Sequence, residues 1–437
     1  MSKFSILTFG CRCNQADSAA MREGLCRRSM LESENPCDCD LVIVNTCTVT
    51  HRADQQVRQA VRRLHRENPR ARVIVTGCYA ERDPETLSAI PGVSLVIGNA
   101  DKERLPEILS QGQDQWLGRI IRGPLEADRD YLLPPMTHTA DKTRPLVKLQ
   151  DGCDAHCSYC IVPQVRGPGR SARPEDVLAE VRSLVQAGFQ EIVLTGVHLG
   201  SFGRKIKGHA RLVDLLRDIL DIPRLGRIRL SSIEPMFFER SIVRLASENP
   251  SFAHHFHIPM QSGSDRILRK MRRPYRAARV RELFQYIQSE LPDAGLGTDV
   301  LVGFPGETDE DFAETRQFIQ ESPLTYLHVF PFSPREGTEA WSAPGRVPWQ
   351  AVKERMADLL EISQSRNLAF RQRFLGRVLP AITLAREEDL GASVVLTSNY
   401  IHAQIPGISL PPNRLLNIRL ESASRGRTSA SVVNGTI

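Results

Sequence analysis

The segment DGCDAHCSYCIVP holds three cysteines, Cys153, Cys157 and Cys160, spaced four and three residues apart. Three thiolates on one tight loop suit a single metal centre. A structural zinc site normally has four protein ligands, and His156 is the only local candidate for a fourth. Three ligands leave one coordination position open, so the pattern favours a [4Fe–4S] cluster whose fourth iron is free to bind another molecule.

Three further cysteines each follow a short β-branched run: Cys11 comes after FSILTFG, Cys47 ends LVIVNTC and Cys78 ends RVIVTGC. In an open α/β sheet the carboxyl ends of parallel strands meet at one edge, and ligand sites lie outside that edge. Equivalent positions in successive βα units therefore predict that these three thiols share one ligand site. Four other cysteines lack this placement, and we interpret them as incidental thiols: Cys13, Cys26, Cys37 and Cys39.

The elements that must position these thiols fall into stretches that together predict an α/β protein. Residues 1–120 alternate strand-like and helix-like runs, which predicts a parallel sheet covered by helices. Residues 121–142, with prolines and mixed charges, are interpreted as a linker. Residues 143–375 contain six βα repeats, which predict a partial (β/α)6 barrel with its functional face at the carboxyl ends of the strands. Residues 376–437 carry short alternating strands and turns, which predict a small β-barrel.

The composition is that of an ordinary globular chain. The 437 residues are 41% hydrophobic and 25% charged, and the mean hydropathy is −0.27, which excludes disordered, collagen and coiled-coil classes. No apolar run approaches the roughly 18 residues that a membrane span needs. The N-terminal MSKFSILTFG lacks an export signal, so we expect a cytoplasmic protein with no membrane partner. The net charge of +6 is compatible with a nucleic-acid partner without demanding one.

The C-x3-C-x2-C spacing, on a loop after the first strand of a βα barrel, resembles the signature of the radical S-adenosylmethionine superfamily. The resemblance implies that the open iron holds the amino and carboxylate groups of S-adenosylmethionine, whose reductive cleavage gives a 5′-deoxyadenosyl radical. It also implies contacts to the methionine amino group, the ribose and the adenine from later strand ends: respectively Thr195 and Gly196; Ser231, Ser232 and Glu234; and Gly303. For the ribose set, capping or solvation is the alternative interpretation.

A second three-cysteine α/β domain before such a core is a narrow combination, and it resembles the methylthiotransferases. The similarity covers nearly the whole chain and is greatest to the tRNA branch that acts on N6-threonylcarbamoyladenosine, in stretches such as FGCRCNQ, VNTCTVTHRADQQVR, HIPMQSGSDRILRKMRRPY and HVFPFSPREGT. It implies that Cys11, Cys47 and Cys78 hold a second [4Fe–4S] cluster carrying the sulfur to be inserted. It also implies that the C-terminal barrel is a TRAM-like RNA-binding module. Cys13 departs from the family pattern, which usually has an aliphatic residue there.

By this resemblance the chain methylthiolates carbon 2 of N6-threonylcarbamoyladenosine next to the anticodon, at position 37 of the tRNA. Two S-adenosylmethionine molecules are needed, one as methyl donor and one as radical source. The implied partners are a tRNA anticodon stem-loop and an electron donor such as flavodoxin or ferredoxin. The alternatives are methylthiolation of isopentenyladenosine in tRNA or of a ribosomal-protein aspartate. An alternative from another class is a non-catalytic iron–sulfur protein that binds RNA or transfers electrons.

Basic clusters give independent support for an RNA partner. Arg58, Arg62, Arg66 and Arg70 recur every four residues, where they could contact phosphates or simply form a solvated helix face. The same two interpretations, contact with phosphates or a solvated surface, apply to a second basic cluster: Arg266, Arg269, Lys270, Arg272, Arg273, Arg276, Arg279 and Arg281. Tyr400 and Phe332 are candidates for stacking on unpaired bases, and each could equally be a core residue.

Overall fold

The computed structural model describes residues 2–110, 118–126, 143–206, 211–384 and 391–433. Three units appear in the order predicted, and the α/β fold class is confirmed. Most of the predicted linker, residues 127–142, lies outside the described residues. Among the helices in the described ranges, none has the length and apolar character that crossing a membrane requires.

The N-terminal unit is a parallel sheet with strand order β2-β1-β3-β4-β5-β6. Its strands are β1 (Lys3–Thr8), β2 (Leu31–Glu32), β3 (Leu41–Thr46), β4 (Arg72–Gly77), β5 (Val93–Ile97) and β6 (Arg119–Ile121). Its helices are α1 (Arg12–Cys26), α2 (His51–Glu67), α3 (Cys78–Arg82), α4 (Pro84–Ser88) and α5 (Leu105–Ser110). The β-branched run of β3 is buried along its whole length, as expected for a central parallel strand with helices on both faces. The short edge strands β2 and β6 were not expected from the sequence.

The central unit contains the predicted six βα repeats. Its strands are β7 (Leu146–Asp151), β8 (Arg170–Ser171), β9 (Glu191–Gly196), β10 (Arg227–Leu230), β11 (His255–His257), β12 (Gly295–Val302) and β13 (Tyr326–Pro331). Its helices are α6 (Val162–Arg166), α7 (Pro174–Gln186), α8 (Leu212–Leu220), α9 (Arg240–Glu248), α10 (Asp265–Lys270), α11 (Ala277–Glu290), α12 (Asp309–Glu321) and α13 (Trp349–Gln372). Parallel bridges beside β10 and β11 join the sheets β10-β9-β7-β8 and β11-β12-β13 into one partial barrel.

The C-terminal unit is a closed barrel with strand order β14-β15-β16-β18-β17. Its strands are β14 (Val378–Thr383), β15 (Ala392–Thr397), β16 (His402–Pro406), β17 (Leu415–Ser424) and β18 (Arg427–Val432). The core of this barrel includes Phe370 and Phe374, which come from the end of α13 and the turn after it. The long helix therefore joins the two units through a shared apolar core.

The C-terminal barrel covers the amino end of the central barrel through a buried ion-pair group. Glu191 begins β9 and accepts hydrogen bonds from Arg229 at 2.9 Å and from Arg227. The same two guanidinium groups donate to the backbone carbonyls of Leu396 and Thr397. All three charged side chains are at most 3% exposed. The barrel is thus attached by charges that have no access to water.

The N-terminal unit contacts both edges of the open central barrel. On one edge Asp17 of α1 is paired with Lys148 of β7. On the other, Asp54 of α2 accepts a 2.6 Å hydrogen bond from Arg335, which follows β13. The N-terminal sheet therefore spans the lateral opening between the first and last barrel strands.

Replacing Glu191 by Gln should leave Arg227 and Arg229 buried without a counter-charge. We expect a loss of about 3–5 kcal/mol in the free energy of unfolding, because breaking a buried ion pair leaves an uncompensated charge. Chemical denaturation of the purified protein measures this loss. Glu361→Gln is the matched control, because Glu361 pairs with Arg425 where both side chains are more than half exposed, and it should change stability by less than about 1 kcal/mol. Equal effects of the two changes would contradict the role given to the Glu191 group.

Candidate functional site

Cys11, Cys47 and Cys78 come together at the carboxyl edge of the N-terminal sheet. They follow β1, β3 and β4, which are adjacent strands. Gly10 has a φ of +99°, and a Cβ there would lie 2.8 Å from the Cys47 sulfur. The first and second of these thiols therefore depend on a glycine that lets the two loops approach each other. Burial raises the pKa of Cys47 to about 12, and the neighbouring Cys78 and Cys11 thiolates add to the shift.

Cys13 lies beside this group, on the first turn of α1. Its thiol hydrogen-bonds to Cys11, which lowers the pKa of Cys11 and raises that of Cys13. Cys13 is buried, whereas Cys11 is exposed. Of the four cysteines set aside in the sequence analysis, Cys13 is therefore the one that contacts the predicted site.

A buried charge network lies directly beneath the three thiols. Asp17 of α1 pairs with Lys102 at 2.7 Å and with Arg166 at 3.0 Å. Asp151, the last residue of β7, pairs with Arg166 at 2.7 Å and with Lys148 at 2.9 Å. The five charged side chains are at most 7% exposed, and three cations face two carboxylates. The neighbouring cations hold the pKa values of both carboxyls far below the usual range even though burial opposes this.

The second cysteine group, Cys153, Cys157 and Cys160, occupies the loop between β7 and α6 at the carboxyl end of the first barrel strand. The Cys153 amide donates to the carbonyl of Gly167, which holds the start of the loop against the end of α6. Arg273 donates to the Cys157 sulfur at 3.1 Å. Burial raises the pKa of Cys153 to about 11 and that of Cys160 to about 12. A positive metal centre would favour their thiolate forms.

Helix α6 connects the two cysteine groups. It begins two residues after Cys160, and its residue Val165 packs with Ile161 against Cys78. At its end Arg166 enters the charge network, where burial lowers its pKa but Asp151 and the Cys78 thiolate raise it further. Because Ile161 directly follows Cys160 and packs on Cys78, the two groups lie close to each other.

Polar atoms without partners face the chamber inside the carboxyl end of the barrel. Among the described residues, His198 Nε2, Glu234 Oε2, Ser231 Oγ and Arg273 Nη2 are buried and make no hydrogen bond. The His198 and Glu234 atoms lie 3.4 Å apart. Buried polar groups normally have partners, so this set fits a polar molecule bound over the Cys153 loop. Burial raises the pKa of Glu234 to about 7 and lowers that of His198 to about 4.

The other residues predicted to contact a cofactor also lie at strand ends. Thr195 and Gly196 end β9, and Thr195 is buried. Ser232 follows β10 and forms a parallel bridge to β11. Gly303 follows β12 with a φ of +79°, and a Cβ there would meet Val352 of α13 at 2.6 Å. The structure thus places all of these residues at the carboxyl end of the barrel, in keeping with the sequence expectation.

A histidine–aspartate group lies on the inner face of the last three barrel strands. Asp299 of β12 accepts hydrogen bonds from His257 of β11 at 2.9 Å and from His328 of β13 at 3.2 Å. Tyr326 hydroxyl contacts His257 at 3.0 Å. Gly297 permits this arrangement, because a Cβ there would lie 2.3 Å from the Tyr326 hydroxyl oxygen. The sequence analysis did not single out this group, although His257 and His328 stand in motifs quoted there.

The residues predicted to contact RNA differ in their exposure: some lie on the surface and others pack inside the protein. Arg62, Arg66 and Arg70 are exposed, whereas Arg58 donates to the Tyr79 hydroxyl. Arg273, grouped with surface arginines in the sequence analysis, instead points inward to Cys157. Phe332 packs against Phe304, with ring centroids 5.5 Å apart. Tyr400 stacks on His255 at 4.0 Å inside the molecule.

The barrel and its three-cysteine loop define a radical S-adenosylmethionine enzyme. Residues 147–319 match the radical SAM superfamily, and residues 3–98 match the family described as "Uncharacterized protein family UPF0004". The radical S-adenosylmethionine methyltransferase TsrM from Kitasatospora setae has a similar fold, with a TM-score of 0.56 and 16% identity over 78% of this chain and 77% of that chain. The apo radical enzyme OxsB gives a TM-score of 0.54 at 11% identity, over 83% and 56% of the two chains.

Curated relatives identify the family more narrowly. The threonylcarbamoyladenosine tRNA methylthiotransferase MtaB of Aquifex aeolicus is 34% identical over 93% of this chain and 97% of its own. The MtaB protein of Bacillus subtilis is 32% identical to this chain, over 97% of this chain and 94% of its own length. The MtaB protein of Rickettsia prowazekii is 36% identical to this chain, over 85% of each. The chain belongs to this family of radical S-adenosylmethionine methylthiotransferases. Its cofactors are those of the family, S-adenosylmethionine and [4Fe–4S] clusters.

The raised pKa of Glu234 predicts how cofactor binding depends on pH. Below about pH 7 the carboxyl is protonated, and above it the carboxylate would face a cationic S-adenosylmethionine bound as the sequence analysis expects. Affinity should therefore rise between pH 6 and 8, by up to about tenfold per pH unit below the pKa. Glu234→Gln should remove this rise in anaerobic equilibrium dialysis, whereas Glu239→Gln, a change at a partly exposed neighbour, should keep it. Parallel curves for wild type and Glu234→Gln would refute the contact.

Proposed function

We propose that this enzyme methylthiolates carbon 2 of N6-threonylcarbamoyladenosine at the position next to the anticodon of a tRNA. The identity to curated relatives of that activity, over nearly the full length of both chains, supports the substrate. The close placement of the two cysteine groups, with Cys78 packed on Val165 and on Ile161, which directly follows Cys160, carries the reaction type, because sulfur insertion needs a sulfur carrier beside a radical source.

Six cysteines are the proposed cluster ligands. Cys153, Cys157 and Cys160 would hold the cluster at the barrel loop, and Cys11, Cys47 and Cys78 the cluster at the N-terminal sheet. Three thiolates at each site leave one iron open, which is the donor set that such chemistry uses. When bound, the first cluster supplies the electron that cleaves S-adenosylmethionine to a 5′-deoxyadenosyl radical, and the second supplies the methylated sulfur.

The chain's own residues bind and orient the reactants. Thr195, Gly196, Ser231, Ser232, Glu234 and Gly303 would contact the S-adenosylmethionine bound over the Cys153 loop, together with His198. Arg273 places a positive charge on the Cys157 sulfur, which stabilises the reduced, more negative state of a cluster there. The N-terminal unit covers the lateral opening of the central barrel and the C-terminal barrel covers its amino end. Both limit water access to the interior, so a reactive radical has fewer competing partners.

Electrons and RNA would reach the site from outside. We infer a small reductant such as a flavodoxin or ferredoxin, since cleavage of S-adenosylmethionine consumes one electron. We assign the exposed Arg62 and Arg66 of α2, and Arg70 in the turn after it, to phosphates of the anticodon stem-loop, since each lacks a carboxylate partner among the residues described.

A Cys47→Ala protein separates the two cysteine groups. The reconstituted wild type should hold about eight irons and the variant about four, because the loop of Cys153 is unaffected. The variant should still cleave S-adenosylmethionine reductively to 5′-deoxyadenosine. It should form no methylthio product on tRNA that carries N6-threonylcarbamoyladenosine, as measured by mass spectrometry of nucleosides.

Cys13 contacts Cys11 and could replace a missing ligand, so the Cys13→Ala/Cys47→Ala double variant is the control. A Cys153→Ala/Cys157→Ala/Cys160→Ala protein should show the reverse pattern, with no 5′-deoxyadenosine formed. Near wild-type methylthiolation by the Cys47 variants would contradict the proposed division between the two groups. Failure of the wild type to form 5′-deoxyadenosine would favour a non-catalytic iron–sulfur protein.

A further inference from the structure

A cavity of about 560 Å³ lies where the central barrel, α13 and the C-terminal barrel meet. Its walls include Tyr326 and His328 of β13, Asn367 of α13, and Asn399 and Tyr400 of the C-terminal barrel. Alternate residues of β13 face the barrel interior, and the His328 side chain is 53% exposed there. The cavity therefore reaches the inner face of the barrel, and it is lined by aromatic rings, amides and the guanidinium groups of Arg371 and Arg425.

The N-terminal unit places a cation beside one wall of this cavity. Arg12 begins α1, next to Cys11, and its guanidinium donates to the Tyr400 hydroxyl at 3.2 Å. Among the described residues no carboxylate lies within ion-pair distance of Arg12. Burial lowers the pKa of His255 and raises that of Tyr326, and the Arg12 charge adds to the first effect and opposes the second, which shows that it lies near both rings. An unneutralised guanidinium at the wall of a partly enclosed cavity is a ready partner for an anion.

We propose that Arg12 binds the carboxylate of the N6 substituent of the substrate adenine, within the cavity walled by Tyr326, His328 and Tyr400. The inference rests on the proposed function and names the residue that determines specificity for an anionic N6 group. The aromatic rings supply faces on which a purine base stacks. Because Arg12 follows Cys11 in the chain, a base held by its N6 substituent lies beside the N-terminal cysteine group.

The charges that face this cavity are consistent with an anionic ligand. The nearest carboxylate on the inner barrel face is that of Asp299. It accepts hydrogen bonds from His257 and His328, which partly offset its negative charge. Glu191 at the barrel base is paired with Arg227 and Arg229. Of the guanidinium groups that line the cavity, Arg425 pairs with Glu361, and Arg371 donates to the Thr428 hydroxyl and the Arg427 carbonyl. Arg12, which contacts the neutral Tyr400 hydroxyl, is the guanidinium proposed for the ligand. An apolar isopentenyl group would instead leave the guanidinium and the amides without partners, which costs binding energy.

The test compares two RNA ligands. One is an anticodon stem-loop with N6-threonylcarbamoyladenosine, and the other is the same RNA with the threonyl carboxylate converted to its methyl ester. Wild-type holoenzyme should bind the acid about 10- to 100-fold more tightly than the ester under anaerobic conditions. In Arg12→Gln this ratio should fall to near one with ester affinity retained, and Arg12→Lys should recover part of it. The kcat/KM ratio for methylthiolation should follow the same order.

Controls separate recognition from cluster assembly. Arg182→Gln changes an exposed arginine of α7 and should keep the wild-type ratio. Iron content and 5′-deoxyadenosine formation should stay at wild-type levels in Arg12→Gln. If that variant loses iron, Tyr400→Phe, which removes the hydroxyl that Arg12 contacts, should still lower the ratio about threefold or more.

The possible failures are distinguishable. A wild type that forms no methylthio product on the acid RNA overturns the proposed function. A wild type that methylthiolates it, while Arg12→Gln and Tyr400→Phe keep the full acid-to-ester ratio, overturns the role of Arg12 alone.

Discussion

The rest of the site depends on the buried charge network formed by two carboxylates and three cations. Asp17 belongs to the N-terminal sheet unit, Asp151 ends the first barrel strand, and Arg166 ends the helix between the two cysteine groups. Each of these charges would be costly to bury alone, so the network forms only when both units dock in one register. The excess of one cation also lies beneath thiolates, where positive charge favours the form that binds metal.

This docking brings the two cysteine groups close together. The loop that carries Cys160 continues into α6, whose apolar face packs on Cys78. A five-residue helix has little freedom once both of its ends are held. The geometry needed for passing sulfur to an activated substrate is thus a consequence of packing at one unit interface, and neither unit supplies it by itself.

The C-terminal barrel has a structural role at the amino end of the central barrel in addition to any contact with RNA. It accepts hydrogen bonds from buried Arg227 and Arg229, and it places Tyr400 on His255 at the base of the central barrel. Removing the barrel would expose these charges and rings, so a truncation would change the amino end of the central barrel as well as the affinity for RNA. Point changes on its surface are the sharper way to study recognition of RNA.

The sequence by itself determined the elements and the chemistry that neighbouring residues carry. The cysteine loop spans eight residues, and the βα alternation is a local pattern, so the α/β class, the central barrel and the small C-terminal barrel were all predictable. Only the tertiary structure revealed the pairing of Asp17 with Lys148, 131 residues apart, and of Arg12 with Tyr400, 388 residues apart. Such contacts have no local period or spacing, because burial and docking decide which distant charges can share a site.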